Sequence, residues 1–154
     1  MANYVSTKAY SGKGATFNFN LNGSSPPSFA NQIPEITLQK PSGQQMKSDD
    51  ATNLSSAAEE FISTIRTSGT WDITANMIPT DPGYIAMEAL FYDGATVQGM
   101  VQFPKAPGQA TIGDQRWFLF FVEKFMPGNI EPSKIIKLDI SLKITGDVTT
   151  VAGS

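Results

Sequence analysis

The chain has 154 residues, enough for one domain with a sizeable hydrophobic core. It contains no cysteine and no histidine, which excludes a disulfide framework, thiol chemistry, and the commonest general base and metal ligand in proteins. Only 16% of the residues are charged and the net charge is −3 with no basic run, so the composition argues against tight nucleic-acid binding and suits protein–protein packing.

The beginning of the chain, residues 1–13, is polar and aperiodic, which predicts a flexible N-terminal arm before a single domain over 14–154. The arm lacks the apolar core of a signal peptide, so we expect synthesis in the cytoplasm without export. Residues 16–21 and 35–40 alternate apolar and polar side chains and predict two strands. In the second of these, Ile36 and Leu38 are expected to face the core.

Residues 41–57 are polar and aperiodic, and they predict a long loop. Asp49-Asp50 and Glu59-Glu60 are acidic pairs at the two ends of this region, and paired carboxylates can bind calcium or hydrolyse glycosides. No ligand or catalytic spacing accompanies the pairs. The pattern therefore favours a solvated acidic loop over a metal or catalytic site.

One helix is predicted after residue 81. Asp81 is a suitable N-cap, Pro82 suits the first helical position, and Gly94 suits the left-handed residue after the helix. Helical spacing places one apolar stripe on the side that packs against the rest of the protein. The stripe consists of Tyr84, Met87, Leu90 and Phe91.

Four more strands are predicted, at 61–66, 70–78, 95–103 and 115–126. The third has a polar face that includes Gln98 and Gln102. The fourth is apolar on both faces, so we expect part of it to be buried on both sides.

The clearest pattern lies at 134–145, where every even position from Ile136 to Ile144 is aliphatic. Such alternation predicts a strand with one dry and one wet face. Twelve residues span about 40 Å, which is about the diameter of a domain of this size. The wet face contains Lys137, Asp139, Ser141 and Lys143. Together the elements predict a mainly β fold, an antiparallel β-sandwich or barrel flanked by one α-helix.

From residue 14 to residue 148, the order of elements resembles the major tail tube protein of long-tailed, lambda-like siphovirus bacteriophages. This wider family includes contractile-tail tubes and the tube protein of type VI secretion. Four segments carry the resemblance: GATFNFNLNG, QQMKSDDATNLSSAAEE, SGTWDITANMIPTDPGYIAMEALFYDG and KIIKLDISLKITGDV.

The resemblance implies hexameric rings that stack into the phage tail tube, the conduit for DNA during infection, in the virion tail. The long inner strands would join those of neighbouring copies in an inter-subunit β-barrel around the channel. The residues expected to face this lumen are Gln98, Gln102, Lys137, Asp139, Ser141 and Lys143. The 41–57 loop would order between stacked rings, with contacts from Lys47, Asp49, Asp50 and Glu59.

The implied partners are further copies of the chain, the tail-tip and terminator proteins, and a tape measure protein and DNA in the lumen without specific binding. No membrane, metal or cofactor is expected. No catalysis is expected either, because serine has no histidine to activate it.

Three alternatives stay open. A secretion-system tube and a tail terminator belong to the same machinery, and a terminator would stop at one ring. A carbohydrate-binding β-sandwich belongs to a different class and would expose Trp71 or Trp117 on a flat face. Aromatic residues at strand spacing more often lie in the core.

Overall fold

The computed structural model describes residues 8–21 and 28–154. Most of the predicted N-terminal arm, residues 1–7, lies outside these ranges. The described chain contains nine strands and one helix. Their bounds are β1 Thr16–Asn20, β2 Asn31–Gln32, β3 Ile36–Ser42, β4 Gln45–Asp50, β5 Phe61–Thr67, β6 Thr70–Asn76, α1 Pro82–Asp93, β7 Val97–Gln102, β8 Gln115–Pro127 and β9 Lys137–Val151.

Seven strands form one antiparallel sheet in the order β2-β1-β7-β8-β9-β6-β3, and β4 and β5 form a separate pair. The large sheet curls into a half-barrel, and the helix flanks it. The predicted mainly β fold with one flanking helix is therefore confirmed. The edges of the half-barrel are the short β2 and the longer β3.

The core lies on one face of the sheet because the strands alternate buried and accessible residues. In β9 the buried positions are the even-numbered aliphatic residues from Leu138 to Ile144. The helix covers this face with Tyr84, Met87 and Leu90, all buried, and Phe91 stacks on Phe125 with ring centroids 6.3 Å apart. The other buried apolar residues are Phe17, Phe19, Ile33, Trp71, Ile73, Ala75, Val97, Val101, Phe118, Phe120 and Val122.

Helix α1 is capped by Asp81 at its start and by Gly94 at its end, as predicted. The Asp81 carboxylate accepts a hydrogen bond from the Gly83 N–H at 2.8 Å, which satisfies one free donor of the first turn. Gly94 has a φ of 72° and donates to the Leu90 carbonyl. A Cβ on Gly83 would lie 1.9 Å from the Gln32 carbonyl oxygen, so a glycine there lets the helix start directly against β2.

Strand β9 is longer than predicted and starts later. It runs for 15 residues, about 50 Å at roughly 3.4 Å per residue, and residues 134–136 belong to the preceding turn. The strand continues past Thr145 because Gly146, with a φ of 78°, accommodates a bulge. Beyond it, Thr149 to Val151 pair with the start of β8, although their sequence is polar.

Two predictions about burial were wrong. Strand β8 is buried on one face only, and Leu119 on the other face is 48% exposed, because the core covers only one side of the sheet. Leu38 is 56% exposed rather than inward-facing. A register shift between Ile36 and Leu38 moves it to the opposite face.

Candidate assembly surfaces

The region predicted as a long loop is a β-hairpin. Residues 41–42 complete β3, and β4 then pairs with β5 in an antiparallel ladder that is separate from the large sheet. All six residues of β4 and the first six of β5 are exposed. The prediction of a 41–57 loop was wrong for residues 41–42 and 45–50, because a strand exposed on both faces needs no alternation of apolar and polar residues, whereas residues 51–57 do form the loop at the hairpin tip.

This hairpin presents large apolar side chains on both of its faces. Phe61 and Met46 lie on one face and are 61% and 52% exposed. Ile62 and Ile65 lie on the other face and are 55% and 69% exposed, because a bulge in β5 between Ser63 and Arg66 shifts the alternation. Contiguous exposed apolar side chains mark an interaction site, so both faces of the hairpin are candidate contact surfaces.

The hairpin tip is built by local hydrogen bonds. The Ser56 hydroxyl donates to the Glu60 carboxylate at 2.8 Å, and the Ala51 N–H donates to the Glu60 carbonyl at 2.8 Å. Hydrogen bonds from Thr52, first from its side chain and then from its backbone, lower the pKa of Asp50. These contacts hold the acidic residues at the protruding end of the molecule.

All four residues predicted to make contacts between rings lie on this hairpin. Lys47 lies opposite the bulge of β5, where the Thr64 hydroxyl donates to the Lys47 carbonyl at 3.2 Å. Asp49 is opposite Ile62, and Asp50 is opposite Phe61. Glu59 is exposed just before β5. The prediction missed the apolar residues beside them, whose signal was the run Phe61-Ile62 followed by Ile65.

Two facing glycines connect the hairpin to the sheet. Gly43 lies between β3 and β4, Gly69 lies between β5 and β6, and each has a φ of 78°. A Cβ on Gly69 would lie 2.0 Å from the Ser42 carbonyl oxygen, and one on Gly43 would lie 3.3 Å from the Gly69 Cα. The glycine pair therefore lets the two chain segments cross in close contact as the ribbon bends.

Polar contacts to β9 fix the base of the hairpin. Arg66 on β5 forms a two-pronged ion pair with Asp147, in which its Nε donates to Oδ1 at 3.0 Å and its Nη2 donates to Oδ2. The Ser68 hydroxyl donates to the Gly146 carbonyl at 2.6 Å. The bulge in β9 thus supplies both acceptors.

The wet face of β9 is joined to β6 by a row of cross-strand hydrogen bonds, which we call the polar ladder. Lys137 Nζ donates to Asn76 at 2.7 Å, and the Ser141 hydroxyl donates to Asp72 at 2.7 Å. The Thr74 hydroxyl donates to Asp139 at 3.4 Å. The polar ladder consists of Asp72, Thr74, Asn76, Lys137, Asp139 and Ser141, all half-buried, and exposed Lys143 continues it.

Gln98 and Gln102 lie on the same face of the sheet but apart from the polar ladder. They are on β7, two strands from β9, where Gln98 pairs with Leu119 and Gln102 pairs with Gln115. The Gln102 amide donates to the Gly113 carbonyl at 3.1 Å, and its oxygen accepts from Gln115 at 2.6 Å. Gln102 therefore anchors the connection before β8. The structure does not bring the six predicted lumen residues into one strip.

The turn that joins β8 to β9, residues 128–136, lies at the other end of the sheet from the hairpin. Strand β6 starts at the glycine pair and ends at Asn76, opposite Lys137. Ile130 and Ile135 in this turn are 73% and 68% exposed. The sequence pattern predicted only a turn for this segment.

Neither tryptophan forms a flat exposed platform. Trp71 is 8% exposed, and its indole N–H donates to Gln39 at 2.9 Å. Trp117 is half-buried, with the Phe29 ring 5.1 Å away edge-on, and it donates to Gln115. These environments do not support the carbohydrate-binding alternative.

Over 8–21 and 28–154, acidic residues do not cluster in groups of three or more that could hold a metal ion. Within the same ranges, no helix has the length and apolarity needed to span a bilayer.

No protein-family model and no curated protein matches this sequence. Solved structures do match its fold. The tail of an empty gene transfer agent particle, refined with C6 symmetry, aligns with a TM-score of 0.72 at 16% identity and covers 94% of this chain and 100% of that one. The tube-terminating cap of the anti-feeding prophage aligns at 0.71 and 8% identity, over 99% and 97%.

A third structure, the SPP1 tail tube, aligns with a TM-score of 0.66 at 13% identity over 95% of this chain and 80% of that one. The chain therefore has the fold found in tail tubes and in a tube-terminating cap. At the level of fold, this confirms the resemblance seen in the sequence.

Proposed function

We propose that this chain is a structural tail tube protein, whose copies form hexameric rings that stack into a hollow virion tail through which DNA passes. The observation that carries the proposal is the hairpin, which leaves Phe61, Ile65, Ile62 and Met46 exposed on two faces. Exposure of these apolar side chains to water does not stabilise a monomer. The near-complete alignment with a tail structure of C6 symmetry supports the same assignment.

Ring closure would solve the problem of the open sheet edges. Strand β3 is an edge strand of seven residues, and an unpaired edge recruits other chains. A closed ring in which each β3 meets the opposite edge of the next copy leaves no edge free. The half-barrels would then form the inter-subunit barrel expected from the sequence.

The polar ladder is the proposed lumen wall. Lys137 and Lys143 are balanced by Asp139 and Asp72, and most of these side chains are held by cross-strand hydrogen bonds. Affinity for phosphate requires a basic surface, so a balanced wall lets DNA or a tape measure protein pass without adhering. Gln98 and Gln102 contribute to this wall only if the curled sheet turns β7 toward the channel.

Stacking is assigned to the hairpin. Burying an exposed isoleucine or phenylalanine fully contributes about 1.5–3 kcal/mol per side chain, so a few such residues from each copy suffice to hold two rings together. Lys47, Asp49, Asp50 and Glu59 surround the apolar residues and would form a polar rim that sets register. The glycine pair and the Arg66–Asp147 ion pair fix the direction in which the hairpin points.

The test compares the native chain with the double variant F61S/I65S at rising concentration. Sedimentation velocity and negative-stain electron microscopy should show tubes for the native chain and only monomers or single rings for the variant. Both residues are exposed, so circular dichroism should show the variant folded as a monomer. A native chain that stays monomeric at every concentration would contradict the proposal.

A tail terminator is the second candidate, because the alignment with a tube-terminating cap has nearly the same TM-score as the alignment with the gene transfer agent tail. A terminator would form one ring and stop. The same sedimentation experiment separates the two, since only a tube protein gives particles of unlimited length.

A further inference from the structure

We infer that the β8–β9 turn is the docking surface for the hairpin of a second copy in the next ring. This inference rests on the proposed function, because it names the partner surface for the stacking contact. Three observations carry it: exposed apolar residues on both elements, opposite charge, and placement at opposite ends of the molecule.

The two elements have matching apolar content. Ile130 and Ile135 are the large apolar residues that the turn exposes, and the hairpin exposes Phe61, Ile62 and Ile65. A groove of about 650 Å³ runs beside the turn and is lined by Asn129, Ser133, Lys134 and Ile135 together with part of the polar ladder. The turn therefore offers a depression with isoleucine at its rim.

The charges around the two elements are opposite. The hairpin, residues 45–67, carries Lys47 and Arg66 against Asp49, Asp50, Glu59 and Glu60, a net charge of −2. The turn itself carries Lys134 against Glu131 and is neutral, and the flanking Lys124 and Lys137 give residues 124–137 a net charge of +2.

The local arrangement of charge and apolar surface also agrees. In the hairpin, Asp49 lies directly opposite Ile62, and in the turn, Lys134 directly precedes Ile135. Each surface thus places an isoleucine beside a charge of opposite sign to its partner's. Complementary charges of this kind favour the correct partner and register.

Placement makes the contact head-to-tail. The hairpin leaves one end of β6 at Thr70, and the turn lies at the other end beside Asn76, about 20 Å away along the strand. A contact between two different surfaces at opposite ends of a subunit does not form a closed two-fold dimer. It forms an open stack, in which the hairpin of each copy contacts one neighbour and its turn contacts the other.

The absence of cysteine from the native sequence allows a direct test by cross-linking. In the double variant L54C/I130C, one thiol lies at the fully exposed hairpin tip and the other in the turn. Treatment of assembled tubes with a thiol-reactive cross-linker of about 10 Å should give a ladder of covalent trimers, tetramers and longer species on a denaturing gel. Each single variant should give dimers at most.

The matched control is L54C/Y92C, whose second thiol lies on the exposed side of helix α1. This variant should not give a ladder. Tubes of L54C/I130C that yield no species beyond a dimer would overturn the docking surface and leave the tube function standing. Absence of tubes from the unmodified chain would instead overturn the proposed function.

A second pair of variants covers the case in which cysteine substitution prevents assembly. The variant D49K/D50K should raise the concentration needed for tubes by about tenfold or more, because it brings like charges together. Adding K124E and K134E in the same chain should lower that concentration again. Circular dichroism should show that all variants are folded. If the quadruple variant then recovers no assembly, the inference is overturned.

Discussion

The hairpin β4–β5 and the strand pair β6–β9 are both antiparallel, but the first is exposed and the second contributes to the core. In β6, Trp71, Ile73 and Ala75 are buried under the helix-covered core. In β5, Phe61, Ile62 and Ile65 are exposed and have no layer over them. Strand pairing alone therefore does not decide whether a side chain is buried. A second layer is needed, and for the hairpin we propose that other copies supply it.

The largest predicted difference comes from equal truncations in the two regions. I140A removes a core side chain and should lower the free energy of unfolding by about 2–5 kcal/mol. I65A removes a side chain that is 69% exposed and should leave monomer stability almost unchanged. Urea denaturation of dilute monomer measures both. A comparable loss of stability in I65A would show that the hairpin packs within its own chain.

The next largest loss of stability is expected from a substitution in the glycine pair. G69A places a Cβ 2.0 Å from the Ser42 carbonyl oxygen in a left-handed conformation, so the bend must open. We expect a loss of about 1–3 kcal/mol and a loss of tube formation. G146A is the control, because its φ is also 78° but no atom lies within 4 Å of the added Cβ. Equal effects of the two substitutions on assembly would show that the close crossing does not orient the hairpin.

Much of the sheet and helix could be predicted because burial on one face leaves a period in the sequence. The aliphatic residues of β9 show this period. The ends of the helix were predictable for a different reason, because Asp81 and Gly94 are suitable capping residues. The hairpin could not be predicted this way, since residues exposed on both faces carry no alternation. The side chain of Leu38 was predicted on the wrong face because β3 contains a bulge. Bulges depend on the register with a neighbouring strand rather than on local sequence.

The candidate surfaces were predictable to a lesser degree. The odd-numbered polar residues of β9 do form one strip, because the strand period places them on one face. Their hydrogen bonds to Asp72, Thr74 and Asn76 depend on β6 being the neighbour, which the sequence does not state. The exposure of Ile130 in the distant turn likewise depends on the tertiary structure.

In the body of the molecule, acid sensitivity should report on Asp114. Asp114 accepts hydrogen bonds from the Gly153 N–H and the Gln109 amide, each at 2.8 Å, and these lower its pKa. A lowered folded-state pKa stabilises the protein fully above the unfolded value of about 3.9 and loses this effect as pH falls through the folded value.

We therefore expect D114N to be less stable than the native chain at pH 7, with the difference shrinking below about pH 4. Thermal melts between pH 7 and pH 2.5 measure this, and D93N at the exposed end of the helix controls for loss of one charge. A difference that stays constant over the whole range would show that Asp114 does not act through its ionised form.

The smallest effect is expected at the base of the hairpin. R66A breaks an exposed ion pair with Asp147, and such pairs contribute about 0–1 kcal/mol to stability. The melting temperature should hardly change, but amide hydrogen exchange in residues 66–68 should accelerate. K134A, which breaks the exposed pair with Glu131, should leave exchange in this segment unchanged.

The most direct test of the central claim is cryo-electron microscopy of the purified chain at assembly concentration. We predict stacked six-fold rings with the hairpins buried between rings and with Lys137, Asp139, Ser141 and Lys143 facing a continuous channel. An assembly in which the hairpins point into solvent, or in which the polar ladder lies on the outer surface of the tube, would contradict this account.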